Sequence, residues 1–390
     1  MRIVEIRETT ASLSSTMRNA FIDFSKMTLS VVAVITDVVR DGKPVVGYGF
    51  NSNGRYAQGG VLRERLIPRL LEADPESLLD EAGTNFDPVR VHSCMMTNEK
   101  PGGHGERAFA VGALDAAIWD AVAKTEEKSL HQIFAERFNG GAFDEAVRVY
   151  PGGGYYDPEK GTDGLKAEMQ GYRDAGYTLM KMKIGGAPLD DDMRRIEGAL
   201  EVTGGGEFLA VDANAALDLD RATAYAGAMS QYGLAWFEEP VDPLDYEAHA
   251  ELAKVCTMPL ATAENVFSLI DAKNLLQYGG LRRDRDWLQF DPSLCYGPSE
   301  FIAIVQMADE MGWARRRHGP HGGQQLGLAL AAGLQLGGTE TYPLVFQPFG
   351  GFGDDVVIED GMVRVPNAPG LGVETKSELY NTVLKPLAQG

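Results

Sequence analysis

Three carboxylates recur at equal spacing in this chain: Asp212 in VDAN, Glu238 in WFEEP and Glu264 in TAEN, each 26 residues after the one before. Each closes a short apolar run of strand type, and the interval is about one strand–helix unit. Polar residues at the C-terminal ends of successive parallel strands converge on one point. Carboxylates gathered there raise each other's pKa and repel unless a cation lies among them. A hard divalent ion with oxygen ligands, Mg²⁺ or Mn²⁺, meets that demand. Any one of the three alone reads equally well as an ordinary strand-end or helix-cap carboxylate; the periodic trio is what points to a metal.

Further strand ends supply acid–base groups. In TLMKMKIG the period of two puts Lys181 and Lys183 on one face and Met182 on the other. Two ammonium groups this close depress each other's pKa, which allows one to act as a neutral base. The bland alternative is a solvated basic strand. Asp291 in QFD and His321 in PHGG follow on later strand ends, with Glu340 in TETYP last. A carboxylate beside an imidazole fixes its tautomer and raises its pKa. His318, in RRRHGPHGG, reads as a structural histidine. The lysines come early and His321 late, so they are expected to face each other across a bore.

The elements that must position these groups follow from the texture of the chain. From about residue 145, the apolar runs VRVYP, TLMKMKIG, FLAVDAN, LAWFEEP, PLATAEN, WLQFDPS, ARRRHG and TETYPLVF alternate with helical segments. Eight such units close a (β/α) barrel. A doubly wound sheet is the alternative, but KIGGAP and VTGGGEF do not make the G-x-G-x-x-G turn that it uses. Before this, IVEIRE and TLSVVAVITDVV–DGK–PVVGYGF read as strands, residues 60–90 as helix, and ERAFAVGALDAAIWDAVAKTEEKSL as a buried helix. The expected division is an α+β capping domain over 1–125, a barrel over 126–345, and a segment over 346–390 that returns to the capping domain.

Composition narrows the partners. With 56 acidic and 36 basic residues the formal charge is −20, which disfavours nucleic acid and anionic membranes. The substrate expected is a small molecule. Cys94, Cys256 and Cys295 are widely separated with no pairing or metal spacing, and the N-terminus lacks the apolar core of a secretory signal. No run approaches the length of a membrane helix. The expected location is the cytoplasm.

KMK, VDAN, WFEEP, TAEN, QFD and PHGG, in this order and spacing, resemble the mandelate racemase subgroup of the enolase superfamily over nearly the whole chain. Within it the chain is similar to the bacterial D-tartrate dehydratases through GYGFNSNGRY, NEKPGGHGER, KMKIGGAP, DPLDY, RDWLQFD and FQPFGGF. The resemblance implies a modified (β/α)₇β barrel under a capping domain, and Mg²⁺ held by Asp212, Glu238 and Glu264. It implies Lys183 as base, Lys181 assisting it, and His321 paired with Asp291 as acid. It further implies Asn53 and Lys100 on the substrate's distal carboxylate, Glu340 on the carboxylate at the metal, and a homo-oligomer. The activity implied is dehydration of a dicarboxylic hydroxy acid through an enediolate, giving oxaloacetate from D-tartrate, in carbohydrate acid catabolism. The chain departs from the dehydratase pattern at Gln324, where a second histidine tends to follow the PHGG turn. His104, in NEKPGGHGER, is a polar residue without an assigned role. A racemase or epimerase, a dehydratase of another sugar acid, a muconate-type cycloisomerase and a non-catalytic relative are the competing readings. The Asp291–His321 pair argues against the cycloisomerase.

Overall fold

The computed structural model describes residues 1–390 except Ser14, Thr16 and Pro158. Strands β1 (Ile3–Ser12), β2 (Thr28–Arg40) and β3 (Lys43–Phe50) form an antiparallel sheet in that order. Asp41 and Gly42 link β2 to β3 with φ of 49° and 74°, the mirror-image turn whose twist suits a two-residue hairpin. The helical spacing expected over 60–90 is interrupted. Helix persists to Glu72 and resumes over Pro88–Met95, while Leu79 and Phe86 form a bridge between them. Pro75 and Pro88 each open a new turn, because proline fixes φ and the residue before it leaves the helical region.

Helix α1 (Glu106–Thr125) is the expected buried helix and lies across β3. The approach is close because both partners are small. A Cβ at Gly47 would stand 2.0 Å from the Ala117 carbonyl oxygen, and one at Gly49 would stand 2.1 Å from that of Ala113. On its other side, a Cβ at Gly112 would meet the Ser293 carbonyl at 2.4 Å. One helix thus packs against both the capping sheet and a loop of the barrel. Helix α2 (Leu130–Phe138) follows, opened by a Ser129–Gln132 capping box.

The barrel runs β4 (Ala146–Gly153), α3 (Gly161–Asp174), β5 (Met180–Lys183), α4 (Leu189–Thr203), β6 (Leu209–Asp212) and α5 (Leu219–Met229). It continues with β7 (Phe237–Glu238), α6 (Tyr246–Val255), β8 (Leu260–Thr262), α7 (Leu269–Tyr278), β9 (Trp287–Leu288), α8 (Pro298–Glu310), α9 (Gln325–Gly333) and β10 (Thr339–Thr341). Strands β4 to β9 pair in sequence, all parallel, and β10 pairs parallel with β4. The gap between β9 and β10 is filled by backbone around His318. Gly319 N–H donates to Leu288 O at 2.9 Å and Gly337 N–H to His318 O at 2.8 Å. Eight staves and seven helices make the modified (β/α)₇β barrel.

One expectation needs correction. ARRRHG is not a strand: Arg315–Arg317 form a 3₁₀ turn. Their side chains diverge to Asp309, Asp144 and the Asp284 carbonyl, three directions that a strand's two faces do not offer. The C-terminal segment divides its packing. The hairpin β11 (Ile358–Glu359) and β12 (Met362–Arg364) pairs with the start of β4 in the barrel. The segment also meets the capping domain along its length: Phe349 packs edge-on against Phe50 of β3 with ring centres 5.2 Å apart, Leu371 N–H donates to Asp120 Oδ1 at 2.6 Å, and Arg7 donates to Ala388 O at 2.7 Å. No helix among the described residues is long and apolar enough to cross a membrane, and Cys94, Cys256 and Cys295 are free.

Candidate active site

Register brings the carboxylates together. Lys183 pairs with Asp212 across β5 and β6, and Asp212 with Glu238 across β6 and β7. Glu264 follows β8 on the next stave. One oxygen from each of Asp212, Glu238 and Glu264 lies within 4.8 Å of the others, and all three residues are buried. The chain turns sharply beside these positions. Asn214, Glu239 and Ala263 have φ of 45°, 37° and 102°, a conformation that non-glycine residues adopt at a cost. Strain concentrated at strand ends marks a rim shaped for its side chains.

Lysine and carboxylate interlock at this rim. Lys183 Nζ is 2.5 Å from Asp212 Oδ2. Lys181 Nζ is 2.8 Å from Glu340 Oε1 and 3.3 Å from Asp212 Oδ2, and it also pairs with Glu238. Arg195 holds the end of the lysine strand, donating to Lys183 O at 2.6 Å and to Gly154 O at 2.7 Å. Burial pulls Lys183 toward the neutral form, but Asp212 and Tyr155 outweigh it and its pKa stands above the ordinary lysine value. Burial opposes ionisation of Asp212 too, yet the two lysines hold its carboxyl below the usual range.

His321 forms the other arm. Its Nδ1 is 2.7 Å from Asp291 Oδ2, and its Nε2 is 3.1 Å from Glu264 Oε2 and 3.5 Å from Glu340 Oε2. Burial disfavours the imidazolium, but Glu264, Glu340 and Asp291 together push the pKa up to about 10. Lys183 and His321 stand on the second and seventh staves. That is three staves apart one way and five the other, so they approach the carboxylates from different sides without being diametrically opposed.

The residues present fit a divalent cation. Five carboxylates, Asp212, Glu238, Glu264, Asp291 and Glu340, surround only two lysines and one histidine. The imbalance is felt at Glu238, which burial, then Asp212 and Glu340, push up to about 8 in spite of Lys181. Glu264 Oε2 has no aligned hydrogen bond. Oxygen donors with excess negative charge are what a hard ion such as Mg²⁺ requires.

The capping residues take other positions than the barrel residues. Asn53 is half-buried in the loop after β3, and Lys100 is exposed, with Arg107 donating to its carbonyl at 3.0 Å. No ion pair joins Lys100 to the barrel carboxylates among the described residues. His104 meets Tyr296 O–H at 2.9 Å, and Gln324, buried, donates to Ser293 Oγ at 3.2 Å. His318 is buried against Phe290, as befits a structural histidine.

Sequence reasoning passed over several neighbours. Gln289 and Trp236 each donate to Glu238 Oε2 at 2.8 Å. Asn265 donates to Glu239 at 2.8 Å and to Glu264 at 3.1 Å, and is itself held by Arg55 of the capping loop. Ser52, 1 % exposed, lies against Gly322 beside Asp291. Gln289, Trp236 and Asn265 sit inside or beside the quoted motifs, and their positions two residues before or one after an acidic residue were the available signal. A cavity of about 910 Å³ lies nearby and does not reach the metal-type carboxylates. It adjoins them through Tyr155, whose ring centre is 5.3 Å from Lys183 Nζ.

Comparison with known proteins agrees with this geometry. Residues 164–379 match the family described as Enolase C-terminal domain-like, and the chain belongs to that family within the enolase superfamily. It is 27 % identical to an L-talarate/galactarate dehydratase of Salmonella typhimurium, covering 88 % of this chain and 81 % of the relative. It is 26 % identical to a 3,6-anhydro-alpha-L-galactonate cycloisomerase of Streptomyces coelicolor, covering 93 % and 92 %. An L-talarate dehydratase from Polaromonas sp. JS666, solved with Mg and L-glucarate, superposes with a TM-score of 0.73 at 26 % identity, covering 95 % and 94 %.

Proposed function

We propose that this chain is a Mg²⁺-dependent acid-sugar dehydratase that takes D-tartrate to oxaloacetate and water. The observation that carries the reading is His321, paired through Nδ1 with Asp291 Oδ2 at 2.7 Å, on a different side of the cluster from Lys183. An imidazole so paired is suited to giving a proton to a departing hydroxyl. The dehydratases of talarate, galactarate, arabinonate and galactonate among its relatives support the same class.

In this reading Asp212, Glu238 and Glu264 would hold the ion, which would supply positive charge to a substrate carboxylate. Lys183 Nζ, in its neutral form, takes the proton from the carbon beside that carboxylate. The electron pair moves into the carboxylate as an enediolate, whose charge Lys181 stabilises. The pair then returns, the β-carbon–oxygen bond breaks, and His321 Nε2 protonates the leaving hydroxyl to water. The resulting enol becomes the 2-keto acid. Asp291 keeps His321 oriented through Nδ1. The choice of a short diacid rests on the capping motifs, with Asn53 and Lys100 proposed for the distal carboxylate once the loops close over it.

A keto-acid assay with Mg²⁺ on D-, L- and meso-tartrate, galactarate and galactonate tests this. Oxaloacetate from D-tartrate alone is the expected result. Turnover of a six-carbon acid instead would replace the substrate and keep the chemistry. Inversion without keto acid would replace dehydration by racemisation.

A further inference from the structure

The opposite end of the barrel is open. Below the layer of Lys181, Glu238 and Glu340 the bore contains a separate small apolar cluster of Tyr150, Leu179, Ala210, Trp236 and Ala261, joined by Trp287. The rings are in contact: Tyr150 and Trp236 centres are 4.9 Å apart, and Trp236 and Trp287 are 5.7 Å apart. Against them lies a cavity of about 320 Å³, at the lower end of the range that holds small organic ligands. Its mouth is kept wide by Gly233, Gly319, Gly337 and Gly338. Gly319 is informative, because a Cβ there would meet only Gly338 O and Trp287 Cε3, both at 3.9 Å. A side chain would fit without collision, so its absence leaves room.

The inner end of this cavity presents one unanswered polar atom. Gln289, 3 % exposed, spends both amide protons, on Tyr150 O–H at 3.0 Å and on Glu238 Oε2 at 2.8 Å. The reverse amide orientation would set its oxygen against the Glu238 carboxylate. Gln289 lines the cavity, and its Oε1 is buried without a partner. An acceptor left so carries a desolvation penalty, which a bound donor recovers.

We propose that the N-terminal mouth of the barrel is a second ligand site, taking a flat aromatic compound that carries one N–H or O–H donor. The ring lies against Trp236 and Trp287, and the donor binds Gln289 Oε1. Aromatic walls favour a ring over a flexible chain, since offset and edge contacts add to area burial. A single free acceptor selects one donor. Water would satisfy the oxygen but leave the indole faces uncovered. Nothing in the chemistry of the lysine–histidine site requires this cavity, so the proposal stands apart from the dehydratase reading.

Saturation-transfer NMR on the full chain with indole, and with 1-methylindole as a match in shape that lacks the donor, tests the assignment. Indole is expected to bind at one site, with 1-methylindole at least about tenfold weaker, the equivalent of one hydrogen bond. Gly319→Leu, which fills the cavity, is expected to abolish the indole signal while the melting temperature shows the protein folded. Leu179→Trp fills it from the opposite wall and should do the same if Gly319→Leu does not fold. Equal binding of the two compounds, binding that survives either filled cavity, or no binding at millimolar indole would each overturn the proposal.

Discussion

Lys183 and His321 are assigned different steps, and isotope exchange separates them. Lys183→Ala is expected to lose both keto-acid formation and exchange of the substrate's α-proton in D₂O. His321→Asn should keep the exchange, observed by NMR, while product formation falls by about 10²–10⁴-fold. Exchange persisting in Lys183→Ala would reassign the base. Gln289 acts at one remove: with Trp236 it fixes Glu238 by hydrogen bonds of 2.8 Å. Gln289→Leu should weaken Mg²⁺ binding by about 10–100-fold in calorimetric titration. The carboxylate trio was legible from one sequence because its spacing repeats the barrel's own period. Gln289, Asn265 and Ser52 were not, since a neutral polar residue gains a role only when folding sets it against a carboxylate. The partner of Lys183 was hidden for a similar reason: only register sets its Nζ 2.5 Å from Asp212.

Elements were legible where a pattern persisted for several turns or a full strand. The alternation from about 145 onward reads as a barrel because each run repeats the same architecture. The stave around His318 escaped this, since it contributes a few backbone bonds rather than a strand, and three arginines in a row do not reveal a 3₁₀ turn. The seat of α1 on β3 was also hidden. Alanine and glycine in ERAFAVGALDAAIWDAV and VVGYGF suggested burial, not that the two backbones would approach so closely that a Cβ added at Gly47 would stand 2.0 Å from a carbonyl oxygen. Gly49→Ala should therefore force α1 away from β3 and cost about 1–3 kcal/mol, measured by urea unfolding. Gly60→Ala, where an added Cβ meets nothing within 4 Å, is the control expected to change little.

The whole molecule should respond to Mg²⁺ and to acid in ways that unfolding experiments can read. An ion bound only by the folded state stabilises by about 2.7 kcal/mol at one hundred times its Kd, seen as a rise in melting temperature. Glu264→Gln should abolish that rise. Burial lowers the pKa of His92, His131 and His249 to about 4. These groups stay neutral in the folded chain while the unfolded chain takes up protons below about pH 6.5. Their contribution is thus intact above pH 6.5 and lost as pH falls toward 4. Compared with the parent, His249→Gln should therefore lose less stability over that window, read from urea midpoints of the two chains. The shared position of α1 bears on how substrate gets in. A helix wedged between the capping sheet and the Ser293 loop is not a hinge, because swinging the cap outward would tear it from one of two close-packed surfaces at once. Access is left to the segments that α1 does not clamp, the stretch from Met17 to Met27 and the loop after β3. The enzyme would then breathe at its rim, with the two bodies moving as one.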